Sequence, residues 1–370
     1  MRHVELDLQA NRIEAVLATH RVPTRVIGGI VTPRLIRFHL SPSPGVRLRR
    51  LLGLSEEVAL ALDVPGCRIA REKGTLALEV PRAHPAPVSL LAVCARLERI
   101  PASAAVIGLD ERGTPLLLAL SSPDVAHVLI AGATGSGKTV LLRSILTSLA
   151  MHSHLGDVQF VLIDPKRRGF APFTGLPHLL WPVLSEPGEV AERLTWLSGE
   201  MLRRDREGIT APRLVVAIDE LAEVLRADGG EAAEALTRLT QRGREAGIHV
   251  IAATQKPTSA LLGPLMKANF PVRLVGSVAS PDDARVAAGL PGTQAERLLG
   301  RGDFLLVVRG QFCRFQAAHV GPDEIREVVA RLRAGGRTSR RWLPLASAGQ
   351  GLERTMPPVA GQSRREAFAV

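Results

Sequence analysis

Only three cysteines occur in the 370 residues, and Cys67, Cys94 and Cys313 are far apart. Their separation matches no metal-ligand spacing, and isolated thiols fit a reducing cytosol. Tyrosine is absent and aromatic residues make up 3% of the chain. The accompanying wealth of Ala, Leu, Arg, Gly and Pro reflects genome composition more than function. No apolar run reaches the roughly 18 residues that a membrane span needs. The opening residues, Met1 to Asp7, alternate like a strand and lack the form of a signal peptide. A soluble, cytoplasmic chain is expected, with no membrane segment. Negative charge is also in deficit: 47 Lys and Arg stand against 36 Asp and Glu, a formal net charge of +11. That excess suggests an anionic partner, most simply nucleic acid.

Residues 1 to about 100 read as a small α+β unit. A short helix is expected over Ala10–Ala18, with Ile13, Val16 and Leu17 on one face. Strands are expected from Arg25, over Arg34–Leu40, from Cys67 and over Thr75–Val80. Ser55 precedes Glu56 and Glu57, the pattern of a capped helix start. The Pro-rich stretch Pro81–Pro87 marks a boundary or exposed connection. From 101 to 335 strands alternate with helices, the pattern of an α/β domain built on a mostly parallel, covered sheet. Its strands are expected at Val125–Ala131, Val158–Ile163, Leu214–Ile218, His249–Ala253, Val272–Ser277 and Phe304–Val308. A last helix begins at Pro322. Residues 336–370 lose periodicity, carry several arginines and read as a flexible basic tail.

The chain is organised around His127-Val-Leu-Ile-Ala-Gly132-Ala-Thr-Gly135-Ser-Gly137-Lys138-Thr139. An apolar strand leads into a Gly-rich turn and then into a helix near Lys138. The spacing Gly132-x4-Gly137-Lys138-Thr139 is that of a phosphate-binding loop. Glycines let successive N–H groups point inward at phosphate oxygens, and the helix N-terminus adds positive charge there. Gly132, Ala133, Thr134, Gly135, Ser136, Gly137, Lys138 and Thr139 are therefore the expected ATP-binding residues. Lys138 would reach the β and γ phosphates, and the Thr139 hydroxyl would ligate Mg²⁺. A second apolar strand ends in Asp219 and Glu220. Asp219 would hold Mg²⁺ through water, and Glu220 would polarise the attacking water. A third strand ends in Thr254-Gln255, whose amide can sense the γ-phosphate. Arg244 and Arg273 are among the arginines that a neighbouring subunit of a ring ATPase could supply to the transition state.

Seven segments in one order resemble the FtsK/SpoIIIE family of double-stranded DNA translocases: Ile163–Lys166, Leu176–Val183, Gly199–Asp205, Ile218–Val224, Arg242–Thr258, Lys267–Arg273 and Leu298–Phe304. Pro33–Leu40, Pro44–Leu48 and Leu54–Leu62 extend the likeness to the family's small β subdomain. The resemblance implies a RecA-like P-loop ATPase that forms a homo-hexameric ring around double-stranded DNA and is powered by ATP and Mg²⁺. By position it makes Asp219 the Walker B acid, Glu220 the general base, Gln255 the sensor and Arg244, then Arg273, the finger acting in trans. Lys256, Lys267, Arg167 and Arg168 would face the DNA. Cell-division members of the family begin with membrane spans and end in a winged-helix domain. Here 35 residues come after Gly335, fewer than the roughly 40 that fold alone, so a bare motor is expected. Related alternatives are a coupling or packaging ATPase of a conjugative element or phage, a HerA-type helicase, and a DNA-binding ATPase switch.

Overall fold

The computed structural model of the chain describes residues 3–31, 35–72, 75–82, 87–226, 230–255 and 269–335. Lys256, Lys267 and the tail 336–370 lie outside the described residues. The fold divides into two compact units: Met1–Pro87 with Glu111–Gly113, and Val88–Asp110 with Thr114–Val370. The break falls at the end of the Pro-rich stretch rather than near residue 100.

The smaller unit carries four strands, β1 (Thr24–Val31), β2 (Leu35–Pro42), β3 (Arg68–Glu72) and β4 (Thr75–Pro81), in the order β1-β2-β4-β3. All its ladders are antiparallel. Ile36, Phe38 and Leu40 alternate along β2 and meet Leu76, Leu78 and Val80 of β4 in a closed apolar core. On β2 the buried Arg37 lies opposite Glu79 and pairs with it at 2.8 Å. Helix α1 (His3–Thr19) covers the sheet, with α2 (Leu48–Leu52) and α3 (Ser55–Ala61) beside it.

The structure departs from two local expectations. From His3 the chain is helical, not a strand, because the apolar stripe Leu6, Ala10, Ile13, Leu17 runs at helical spacing into the core. Ser55 is not a cap: it is the first residue of α3, Leu54 stands before it, and the Ser55 hydroxyl accepts a bond from Ile69 N instead.

In the larger unit, β5 (Val88–Ser89), β6 (Ala104–Asp110), β7 (Pro115–Ala119), β8 (Val128–Ala131), β9 (Val158–Ile163), β10 (Arg213–Ile218), β11 (Ile248–Thr254), β12 (Val272–Val275), β13 (Asp303–Val308) and β14 (Gln311–His319) form one sheet. Its main path is β7-β6-β14-β13-β12-β8-β11-β10-β9, with β5 paired to β14. The half around β8 is parallel, from β12 to β9. The β13-β14-β6-β7 half is antiparallel, so the sheet is mixed. The chain reverses direction at Arg309-Gly310, between β13 and β14. Both residues take positive φ, +49° and +74°, the conformation of a tight two-residue hairpin.

Helices α4 (Leu90–Arg96), α5 (Lys138–His152), α6 (Pro187–Glu207), α7 (Leu221–Arg226), α8 (Glu231–Arg242), α9 (Pro281–Ala288) and α10 (Pro322–Arg333) accompany the sheet. Alternate residues of each parallel strand meet different layers. Phe160, Leu162, Val215 and Ile251 pack with Leu141, Leu142 and Ile145 of α5. Val161, Leu214, Val216 and Val250 pack with Leu194 and Leu197 of α6 and with Leu236 and Leu239 of α8. Burial on both faces explains why these strands read as continuous apolar runs instead of alternating ones.

Candidate active site

Three parallel strands, β8, β11 and β10, end side by side, and the residues just past their C-terminal ends build the site. Gly132–Thr139 continues from β8. The loop is anchored on both flanks: Gly132 N donates to Thr254 O at 3.3 Å, and Ala133 N to Ser277 O at 2.7 Å. From the antiparallel half, Arg301 N and Gly302 N donate to Gly135 O and Ser136 O at 3.1 and 2.8 Å. Gly137 stands at the N-cap of α5 with φ +105°, and a Cβ there would meet Gly302 N at 3.0 Å. The position demands glycine on both grounds.

Lys138, buried, folds its ammonium back over the loop and donates to Gly132 O and Ala133 O at 2.9 and 3.0 Å. Burial lowers its pKa, and the charges of Glu220 and Asp219 oppose that shift. Thr139 Oγ1 donates to Asp219 Oδ1 at 2.6 Å. Asp219 sits where β10 ends, with its N–H bonded to Ile163 O. Its pKa is raised, first by burial and then by the Asp164 charge, against the Thr139 bond and Arg143. Glu220, 6% exposed, accepts a long bond from Gln255 N at 3.4 Å. Thr134 Oγ1 donates to Gln255 Oε1 at 2.9 Å.

These contacts gather a cation, two hydroxyls, two carboxylates and an amide around the start of α5. The first-turn N–H groups of that helix have no acceptor within it, which suits an oxyanion. A hydroxyl–carboxylate pair such as Thr139–Asp219 suits a hard divalent cation. The arrangement therefore fits a nucleoside triphosphate with Mg²⁺. Among the described residues of either unit, no cluster of three or more His, Cys, Asp or Glu suited to a metal occurs, so the hydroxyl of Thr139 and the Asp219 carboxylate are the protein groups on which a cation could rest.

The remaining expected residues lie elsewhere. Arg167 and Arg168 are exposed in the turn after β9, and Arg167 pairs with Glu186. Arg244 precedes β11, and Arg273 lies near the start of β12. Both are thus at the opposite end of the parallel strands from Gly132–Thr139. They line one cavity of about 440 Å³ together with Arg309. Arg244 is exposed and donates to Pro123 O at 2.8 Å. Arg273 is partly buried and directed at Phe270 O, Val286 O and Ala287 O at 3.4, 3.5 and 3.4 Å, among them the last carbonyls of α9.

Two polar groups beside the site carry no role that the sequence alone assigned. Asp164, 1% exposed, ends β9 as Asp219 ends β10. Arg143 lies one helical turn beyond Thr139. An acid closing an apolar strand was a visible signal for Asp164, whereas Arg143 carried none.

A mixed α/β sheet, a Gly-rich loop opening a helix, and acids closing neighbouring strands define a P-loop ATPase of RecA-like fold. Residues 98–209 and 205–259 match the FtsK/SpoIIIE family model, and residues 1–82 match the FtsK alpha domain. The chain belongs to the FtsK/SpoIIIE family. It is 34% identical over 358 residues to a DNA translocase FtsK of Sporosarcina ureae, covering 88% of this chain and 45% of that protein. It is 34% identical over 359 residues to the DNA translocase SftA of Bacillus subtilis (strain 168), covering 89% of this chain and 37% of that protein. The chain thus spans less than half the length of these relatives. Among solved structures, the cytoplasmic domain of the type VII secretion ATPase EccC of Thermomonospora curvata superposes with a TM-score of 0.58 at 26% identity, over 71% of this chain and 36% of that one. Among the described residues, no helix is long and apolar enough to cross a membrane.

Proposed function

We propose that this chain hydrolyses ATP with Mg²⁺ and uses the energy to move double-stranded DNA, working as a ring of six copies. The observation that carries the reading is the convergence of Lys138, Thr139–Asp219 and Glu220–Gln255 at one end of the parallel strands. It occurs in a chain whose relatives are named DNA translocases.

In this reading the α5 N-terminus and Lys138 bind the phosphates. Lys138 exchanges its two loop carbonyls for phosphate oxygens. Thr139 and Asp219 hold Mg²⁺, which when bound neutralises charge on the transferring phosphoryl group. Glu220, braced by Gln255 N, orients and deprotonates the attacking water. Gln255, already bonded to Thr134 at the rim of the loop, reports on the γ-phosphate. Arg244 is the preferred finger for a neighbouring copy: it is exposed and directed away from its own site, while Arg273 is drawn to backbone carbonyls at the end of α9. The net charge of +11 and the exposed Arg167 and Arg168 suit phosphate contacts, which hold DNA of any sequence.

The test is phosphate release by the purified chain with Mg²⁺ and ATP, with and without duplex DNA. Glu220→Gln should bind ATP and lose roughly a hundredfold or more in turnover. Lys138→Ala should neither bind nor hydrolyse ATP while keeping its circular dichroism. Normal hydrolysis by Lys138→Ala would sink the assignment.

A further inference from the structure

Two successive peptide groups, Arg168–Gly169 and Gly169–Phe170, are each gripped from both sides. Arg143 Nη2 donates to Arg168 O at 2.7 Å, and Arg143 Nε to Gly169 O at 2.5 Å. On the other side Gly169 N and Phe170 N donate to Asp164 Oδ2 at 2.7 and 3.0 Å. Asp164 is itself buried at the end of β9. The turn so held presses on the site: a Cβ built on Gly169 would stand 2.6 Å from Asp219 Oδ2 and 2.8 Å from its Cγ. Thr139 holds the other oxygen of the same carboxylate. Asp219 is thus fixed between a helix residue and a backbone segment that has no side chain to yield.

Ahead of Gly169 the same turn projects Lys166, Arg167 and Arg168 outward, all exposed. Lys166 pairs with Glu223 at 2.9 Å, just past the two acids that end β10. A displacement of the basic tip must therefore pass through Gly169 to reach Asp219, and the Arg143 fork resists it.

We propose that Arg143 is a positioning residue. Its forked guanidinium locks the Lys166–Phe170 turn against Asp219 and so sets the carboxylate that Mg²⁺ requires. The proposal rests on the ATP and Mg²⁺ reading above. Arg suits the task because one planar group satisfies two successive carbonyls, which a lysine ammonium on a flexible stem does poorly.

The experiment uses the full chain, Arg143→Gln and Arg143→Lys, with two readouts. The first is tryptic cleavage at the Arg168–Gly169 bond, identified by mass spectrometry, against cleavage at Arg204–Asp205 inside α6 as an internal standard. A protease needs the chain locally opened, so wild type should be cut slowly at 168. Losing two charge-assisted bonds should raise that rate roughly tenfold in Arg143→Gln, with no change at 204. The second readout is the Mg²⁺ concentration that half-saturates binding of a fluorescent ATP analogue. It should rise roughly tenfold in the variant, while binding at saturating Mg²⁺ stays near wild type, as when a group orienting a metal ligand is lost. Arg143→Lys keeps the charge and the stem but not the fork, and should fall between. An unchanged rate at 168, or an unchanged Mg²⁺ midpoint, overturns the proposal. If Arg143→Gln does not fold, the same two outcomes in Arg143→Lys decide it. A wild-type chain that binds no nucleotide would refute the functional reading instead, and the cleavage result would still report on the grip.

Discussion

Acid should loosen the ATPase unit well above the range where carboxylates titrate, because two buried histidines lie at the heart of the parallel sheet. His127 precedes β8 and His249 lies in β11, and both are about 1% exposed. His127 Nδ1 accepts Val250 N–H at 3.0 Å, so protonation at that nitrogen would set two donors face to face. His249 Nδ1 lies 2.9 Å from Ala126 O and donates to it, while its Nε2 is buried with no partner among the described residues. Burial, then the neighbouring histidine and Arg244, push His127 down to about 3. Burial, with Arg213 and Arg244 opposing a further charge, pushes His249 down to about 4.

In the unfolded chain a histidine titrates near 6.5. Below that pH the unfolded state takes up protons that the folded rings refuse. The stability conferred by neutral rings is therefore complete above about pH 6.5 and drains away as pH falls, toward about 4 for His249 and about 3 for His127. At pH 5 the deficit is about 1.5 units at about 1.4 kcal/mol each, or roughly 2 kcal/mol per ring and 4 for the pair. That is a large share of the roughly 5–15 kcal/mol that holds a domain together. His152 and His178, also lowered by burial, act in the same direction. The assay is urea unfolding at pH 7 and pH 5, followed through Trp181 and Trp196, which touch edge to face in the larger unit at 5.1 Å. His127→Gln should remove roughly 2 kcal/mol of the pH dependence. A variant that loses as much stability between pH 7 and pH 5 as the parent would show that His127 is not a source of the acid sensitivity.

Single contacts set further outcomes. Gly137→Ala forces a Cβ at φ +105° against Gly302 N, so the chain should lose about 1–3 kcal/mol and bind a fluorescent ATP analogue at least tenfold more weakly. Differential scanning fluorimetry and a binding titration would check both. Arg244→Ala and Arg273→Ala should behave differently. The first should cut DNA-stimulated turnover by roughly a thousandfold with Tm unchanged. The second should lower Tm by a few degrees, since its guanidinium faces backbone carbonyls of the core, a loss of about 1 kcal/mol. Doping wild type with Arg244→Ala protein should depress turnover more than dilution does.

Much of the parallel half was legible because each strand is buried on both faces and bounded by turn residues. Val158–Ile163 coincides with β9, and Leu214–Ile218 lies within β10. The acids at 164, 219 and 220 stand out because nothing polar precedes them in those runs except Gln159 near the start of β9 and Arg213 at the start of β10. The antiparallel half was less legible. Of it only Phe304–Val308, within β13, was expected from the sequence. Arg309-Gly310 is a hairpin signal only if arginine tolerates a left-handed φ, and β14 carries polar residues at Gln311, Arg314 and Gln316. At the N-terminus, alternation over seven residues misled because the helical stripe becomes visible only when Leu6 is read together with Ile13 and Leu17. Arg143 and Gly169 were invisible for a different reason. Their meaning lies in a carbonyl and a carboxylate that other segments bring to them. Likewise the sequence ranks Arg244 ahead of Arg273 only by resemblance, and their different surroundings appear only in three dimensions.

The most direct test of the central claim is the steady-state ATPase rate as a function of the length of linear duplex DNA, with Glu220→Gln as the control. A motor that walks along a duplex and leaves at its end spends more time translocating on longer DNA. The rate should rise with length and then level off, with a flat baseline for Glu220→Gln. A folded, ATP-binding chain whose turnover ignores duplex length would contradict the claim.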